Sequence, residues 1–119
     1  MRITDLLKKE SISLNRALAS KSDAIDALVE LHEKAGNLSD KEAYKKEILA
    51  REAQGSTAVG NGVAIPHAKT SAVAKPGLSA ISAPAGVDYE SLDGNPSNLL
   101  FMIAVPKTEI FIWKCFPDL

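Results

Sequence analysis

The feature that most limits what this chain can fold into is residues 98–106, NLLFMIAVP, where Leu99 to Val105 run without a charge or a turn former. A strand with one face in water alternates apolar and polar residues. An unbroken apolar run suits a strand covered on both faces, at the centre of a layered sheet. A membrane-spanning helix needs roughly 20 such residues, and no run in the chain approaches that length. The run therefore calls for neighbouring strands and for helices to cover it.

Both are present upstream. In SKSDAIDALVELHEKAG, Ser20 or Ser22 can cap a helix, Asp23 and Asp26 suit its positive end, and Gly36 ends it. Ile25, Leu28, Val29 and His32 share one face, at i, i+3, i+4 and i+7. The second helix is SDKEAYKKEILAREAQG, with Ser39 and Glu42 as a capping box and Gly55 as the left-handed stop. Its buried stripe passes through Tyr44, Ile48 and Arg51, which sets an arginine at the C-terminal end of an apolar face.

Beyond Gly55 the period changes. VAIP is a short strand stopped by Pro66, which has no N–H for a ladder bond. GLSAISAP alternates apolar and small residues and reads as a half-buried strand, while GVDYESLDGNPS is rich in turn formers. Near the N-terminus, a turn around TDLL precedes a short strand over residues 11–15, with Ile12 and Leu14 alternating with polar neighbours. Strands separated by helices, one of them doubly covered, indicate a single α/β domain: a mixed β-sheet flanked by helices.

Charge and cysteine content narrow the function. Formal net charge is −1, so no basic field draws in nucleic acid or anionic lipid. The single cysteine, Cys115, cannot form an internal disulfide, and the N-terminal residues have no signal-like apolar core, which together predict a cytoplasmic protein.

Of the two histidines, His32 lies on the apolar face of the first helix and reads as a packed residue with one hydrogen bond. His67 is set differently. It follows Pro66 and an apolar strand, so its imidazole is presented from a stiff support. Upstream, GSTAVGNG offers the hydroxyls of Ser56 and Thr57, and glycines whose backbone N–H groups can approach an anion. Arg51 could add charge-assisted contacts to phosphate oxygens, or could pair with Glu47 on its own helix. Neutral imidazole accepts a phosphoryl group, and that transfer requires mainly alignment and charge stabilisation. On these grounds alone His67 is either a site residue or a satisfied group at a strand end.

The run from Glu52 to Ala68 resembles the phosphohistidine signature of the type 2 enzyme IIA domains of the bacterial phosphoenolpyruvate-dependent sugar phosphotransferase system. The matching positions are Glu52, Val59, Gly60, Val63, Ala64, Ile65, Pro66, His67 and Ala68. The similarity extends through GVDYESLDG and LLFMIAVP, most like the fructose-type branch. The resemblance implies that His67 takes a phosphoryl group from the carrier protein HPr and passes it to a cysteine of a IIB domain, serving sugar uptake through a membrane IIC domain. It implies Arg51, Thr57 and Ser56 as phosphate-binding residues. No metal or organic cofactor is expected, since donor and acceptor are protein side chains.

The resemblance covers residues 1–106, expected as one IIA-like domain. After Pro106 the family's polar loop, second histidine and closing helix are replaced by KTEIFIWKCFPDL. Residues 107–119 are therefore expected as an atypical aromatic tail on a domain lacking the usual C-terminal helix. Phe111, Trp113 and Phe116 are expected to fold over the sheet or to bury it in a second copy of the chain. The alternative to a working phosphocarrier is a non-catalytic regulatory domain or an inactive remnant of one.

Overall fold

A computed structural model describes residues 3–107; Phe111, Trp113, Cys115 and Phe116, and with them the expectations of a folded-back tail or a dimer, lie outside the described residues. The elements in chain order are α1 (Ile3–Leu6), β1 (Leu7–Ser13), α2 (Lys21–Lys34), α3 (Lys41–Ala53), β2 (Ala58–Gly60), β3 (Val63–Ala64), β4 (His67–Thr70), β5 (Gly77–Val87) and β6 (Ser97–Pro106). The strands form one mixed sheet in the order β1-β5-β6-β3-β2, with β4 also pairing β6.

The apolar run is β6, and it is central. β5 pairs with it antiparallel on one side, β3 and β4 parallel on the other. Successive side chains point to opposite faces. Leu100, Met102 and Ala104 join the main core with Ile25, Leu28 and Val29 of α2 and Tyr44 and Ile48 of α3. Ile103 and Val105 join a smaller cluster with Leu6 and Leu78, against which Leu7, Ile65 and Phe101 pack. Both faces are thus covered from Leu100 to Val105, while Leu99 at the start of the run is exposed.

β5 is more deeply buried than its alternation suggests. Gly77 to Ile81 are all buried, because β5 is itself internal, between β1 and β6. Small residues here mark close packing, and a half-exposed face is not what they signal. The N-terminal strand also departs from expectation: it starts at Leu7, Ser11 is buried, and Ile12 and Leu14 are exposed. Ser11 Oγ donates to the Lys8 carbonyl and accepts from the Lys8 N–H, and the register against β5 shifts between Leu7 and Ile12. This irregularity inverts the alternation.

Helix α2 forms as its sequence indicates. Ser20 caps it by accepting from the Asp23 N–H, Gly36 follows it at φ +75°, and Ile25, Leu28, Val29 and His32 are buried. Helix α3 is capped by Asp40 in place of Ser39: the Asp40 carboxylate accepts from the Ala43 N–H, while Ser39 Oγ donates to the Ser71 carbonyl. Ser39 is held by a distant loop and so cannot turn toward the helix. None of the helices among the described residues is long and apolar enough to cross a membrane.

Candidate active site

The segment after α3 is a hairpin. β2 and β3 pair antiparallel across Gly60, Asn61 and Gly62, whose φ angles of +103°, +57° and +78° make the turn. A side chain at Gly62 would also crowd Asn98 Oδ1, at 3.0 Å. Several N–H groups of this loop, beside the glycines, are held by the chain's own oxygens. Thr57 N–H donates to Glu52 Oε1, Ala58 N–H to Ser56 Oγ, and Asn61 N–H to Asp93 Oδ2. Asp93 also accepts from Ser91 Oγ at 2.7 Å and from the Asn95 N–H at 3.0 Å. Those bonds, Ser91 first, hold its carboxyl down at about 2.

β3 does not end at Pro66 for good. Ala64 lies opposite Leu100 and His67 opposite Ile103, so the register against β6 is the same before and after the break. Pro66 has no N–H to give that rung, although its carbonyl still accepts from the Ile103 N–H at 3.0 Å. His67 is thus the first residue of a resumed strand, correcting the view of it as a strand-end residue. Paired residues share a face, so His67 stands on the side of Ile103, away from α2 and α3. Its ring Nδ1 lies 2.9 Å from the Ile65 carbonyl. A carbonyl only accepts, so Nδ1 carries a proton, and in the neutral ring the lone pair is then on Nε2.

Behind the hairpin lies a polar cluster. The Glu52 side chain is only 5% exposed, and its carboxylate accepts from the Thr57 hydroxyl and from the Tyr89 hydroxyl at 3.2 Å. Lys21 Nζ, from the first turn of α2, lies 3.0 Å from Glu52 Oε1, 3.1 Å from Glu90 Oε1, and 4.8 Å from the centre of the Tyr89 ring. Burial alone would lower the Lys21 ammonium, but its bonds to Glu52 and Glu90 hold it above the ordinary lysine value. Burial, then the Glu52 charge, raises the Tyr89 phenol.

The other expected residues are placed as follows. Thr57 is buried with its hydroxyl on Glu52, and Ser56 Oγ donates to the Tyr89 carbonyl at 2.8 Å. Arg51 Nη1 donates to the Gly55 carbonyl at 3.0 Å, at the base of the hairpin; among the described residues it forms no ion pair with Glu47. His32 is packed, but with two partners: Nε2–H donates to the Met102 carbonyl at 2.9 Å and Nδ1 accepts from Asn37 at 3.0 Å. Burial pulls it down to about 4. Lys21, Tyr89 and Asp93 were not singled out from the sequence, and Glu52 only as a pattern position. The one local signal was for Glu52, an acid in the last turn of a helix, close enough to reach the loop that follows.

Residues 5–111 match the family described as "Phosphoenolpyruvate-dependent sugar phosphotransferase system, EIIA 2". The chain belongs to this family. It is 52% identical over 107 residues to the fructose-specific EIIABC component of Bacillus subtilis, covering 90% of this chain and 17% of that protein. It thus spans about a sixth of that relative's length. Among solved structures it resembles nitrogen regulatory protein IIA-Ntr from Neisseria meningitidis, with TM-score 0.79 and 31% identity over 87% of this chain and 70% of that one. It also resembles the complex of enzyme IIAMtl with phosphorylated enzyme IIBMtl from Escherichia coli, with TM-score 0.76 and 28% identity over 87% of this chain and 74% of that one. The type 2 IIA fold agrees with the mixed sheet and its flanking helices, and the family makes the chain a phosphotransferase component.

Proposed function

We propose that this IIA domain carries a phosphoryl group on His67 between HPr and the cysteine of a IIB domain. The observation that supports this most is the Nδ1–H bond to the Ile65 carbonyl, which in the neutral ring leaves the imidazole lone pair on Nε2, on a strand paired to the central β6. In the first step that lone pair attacks phosphorus of the phosphohistidine on HPr. The new N–P bond forms as the donor's N–P bond breaks, and the donor imidazole keeps the electron pair. In the second step a IIB thiolate attacks the same phosphorus and Nε2 recovers its lone pair. No proton crosses His67 in either direction, so a fixed tautomer serves both steps.

Around the phosphorus, Arg51 supplies positive charge and the Ser56–Thr57 turn forms the edge of the site. Both hydroxyl protons are already donated, to Tyr89 and Glu52, so what these residues offer is the placement of the loop. The Bacillus relative favours fructose-type uptake, with the IIA domain working at the cytoplasmic face beside IIB and IIC. The Neisseria relative supports a regulatory second reading, in which the same histidine is phosphorylated and the group goes no further. Loading the chain from phosphorylated HPr and adding a fructose-type IIB domain separates the two. Label moving to the IIB cysteine supports the carrier, and label retained on the loaded chain supports the regulator.

A further inference from the structure

A continuous chain of bonds joins the buried Glu52 carboxylate to the His67 ring. Glu52 Oε1 accepts from the Thr57 N–H at 3.1 Å, and Oε2 accepts from the Thr57 hydroxyl. The Thr57 carbonyl accepts from the Ile65 N–H at 3.0 Å. The Ile65 carbonyl accepts from His67 Nδ1–H at 2.9 Å. Thr57 is clamped by its own N–H and hydroxyl at once, so it is fixed in rotation as well as in position. The Ile65 peptide, held through its N–H, then aims its carbonyl at the imidazole. Pro66, with its fixed φ, is the only residue between Ile65 and the histidine.

The far side of the clamp is fixed as well. Lys21 at 3.0 Å and the Tyr89 hydroxyl at 3.2 Å take up the remaining capacity of the Glu52 carboxylate. Lys21 stands at the start of α2 and Tyr89 follows β5, so Glu52 joins α2, α3, the hairpin and the 88–96 loop at one buried point.

Resting on the reading of His67 as the phosphoryl acceptor, we propose that Glu52 is a positioning residue for it. With Lys21 as its counter-ion, Glu52 acts through Thr57 and Ile65 to hold the imidazole in the Nδ1–H tautomer and aimed for attack by Nε2. A carboxylate is required because it accepts from Thr57 N–H, Thr57 O–H, Tyr89 O–H and Lys21 together. The amide of glutamine has one accepting atom, and its NH2 opposes the hydrogens it would face.

The test is Glu52→Gln, read in two ways. Long-range 15N–1H NMR of the free protein reports the His67 tautomer without any transfer reaction. Single-turnover phosphoryl transfer from phosphorylated HPr, over a range of donor concentrations, separates the maximal rate from the half-saturating concentration. In the folded variant a mixture of tautomers is expected in place of one, with the maximal rate down ~10- to 100-fold and half-saturation unchanged, since a misplacement near 1 Å costs about that much. Tyr89→Phe removes one donor and leaves the ring. It should move both readouts in the same direction by less, and it keeps the test open if Glu52→Gln does not fold. A folded Glu52→Gln, or failing that Tyr89→Phe, with the wild-type tautomer and rate would overturn the proposal and leave the cluster a purely structural one. If wild type itself accepts no phosphoryl group, the carrier reading fails, while the tautomer comparison still decides the role of Glu52.

Discussion

The two histidines sit in opposite environments. His32 is sealed between α2 and β6, neutral, with both ring nitrogens in hydrogen bonds, whereas His67 is partly exposed and tied to its own backbone by Nδ1. The position of His32 on a buried helix face was legible from its spacing, but its partners were not: Met102 is 70 residues away in sequence, and Asn37 lies beyond the helix end. Burial lowers His32 from 6.5 to about 4. Between those values the unfolded chain binds the proton and the folded chain does not, so stability falls as pH falls. The contribution is complete above pH 6.5 and lost by about pH 4, and amounts to about 3 kcal/mol. Denaturant titrations from pH 7 to pH 4 should therefore fall more steeply for wild type than for His32→Gln; parallel curves would mean that His32 is protonated in the fold. Gly77 belongs to the same cluster, because a Cβ there would lie 2.2 Å from Asn37 Nδ2 and 2.7 Å from its Cγ. Gly77→Ala should displace Asn37 from His32 and cost about 3 kcal/mol, measurable as a lower denaturation midpoint.

At the level of elements, the helices and the central strand could be read from the sequence because their signals are local. Caps, periodicity and an unbroken apolar run each lie within one segment. The misreadings arose where a distant partner decided the outcome. Ser39 and Asp40 are adjacent possible caps for α3, and Ser39 is excluded by its bond to the Ser71 carbonyl, 32 residues on. Asp40→Ala should accordingly cost about 1 kcal/mol in thermal or chemical denaturation, and Ser39→Ala distinctly less. Equal losses would restore the capping box expected from the sequence. β1 was misjudged for a similar reason, since the Ser11–Lys8 bonds and the shifted register against β5 reverse which side chains face inward. Pro66 was read correctly as a break in pairing. What could not be foreseen is that β6 keeps the register across it, so that His67 resumes the sheet.

At the scale of the molecule, one short sequence pattern singles out His67, while the cluster behind it is assembled from four separate stretches. Glu52, Lys21, Tyr89 and the hairpin come together only in the fold, and no sequence spacing links residue 21 to residue 89. On the proposed reading, the phosphoryl group resides on His67 Nε2. This is tested most directly by loading the chain from phosphorylated HPr, mapping the acid-labile phosphate by peptide and by 31P–15N NMR, and repeating the reaction with His67→Gln. One phosphoryl group is expected, on Nε2 of His67, and none in the variant. Phosphate on His32, or undiminished loading of His67→Gln, would contradict it.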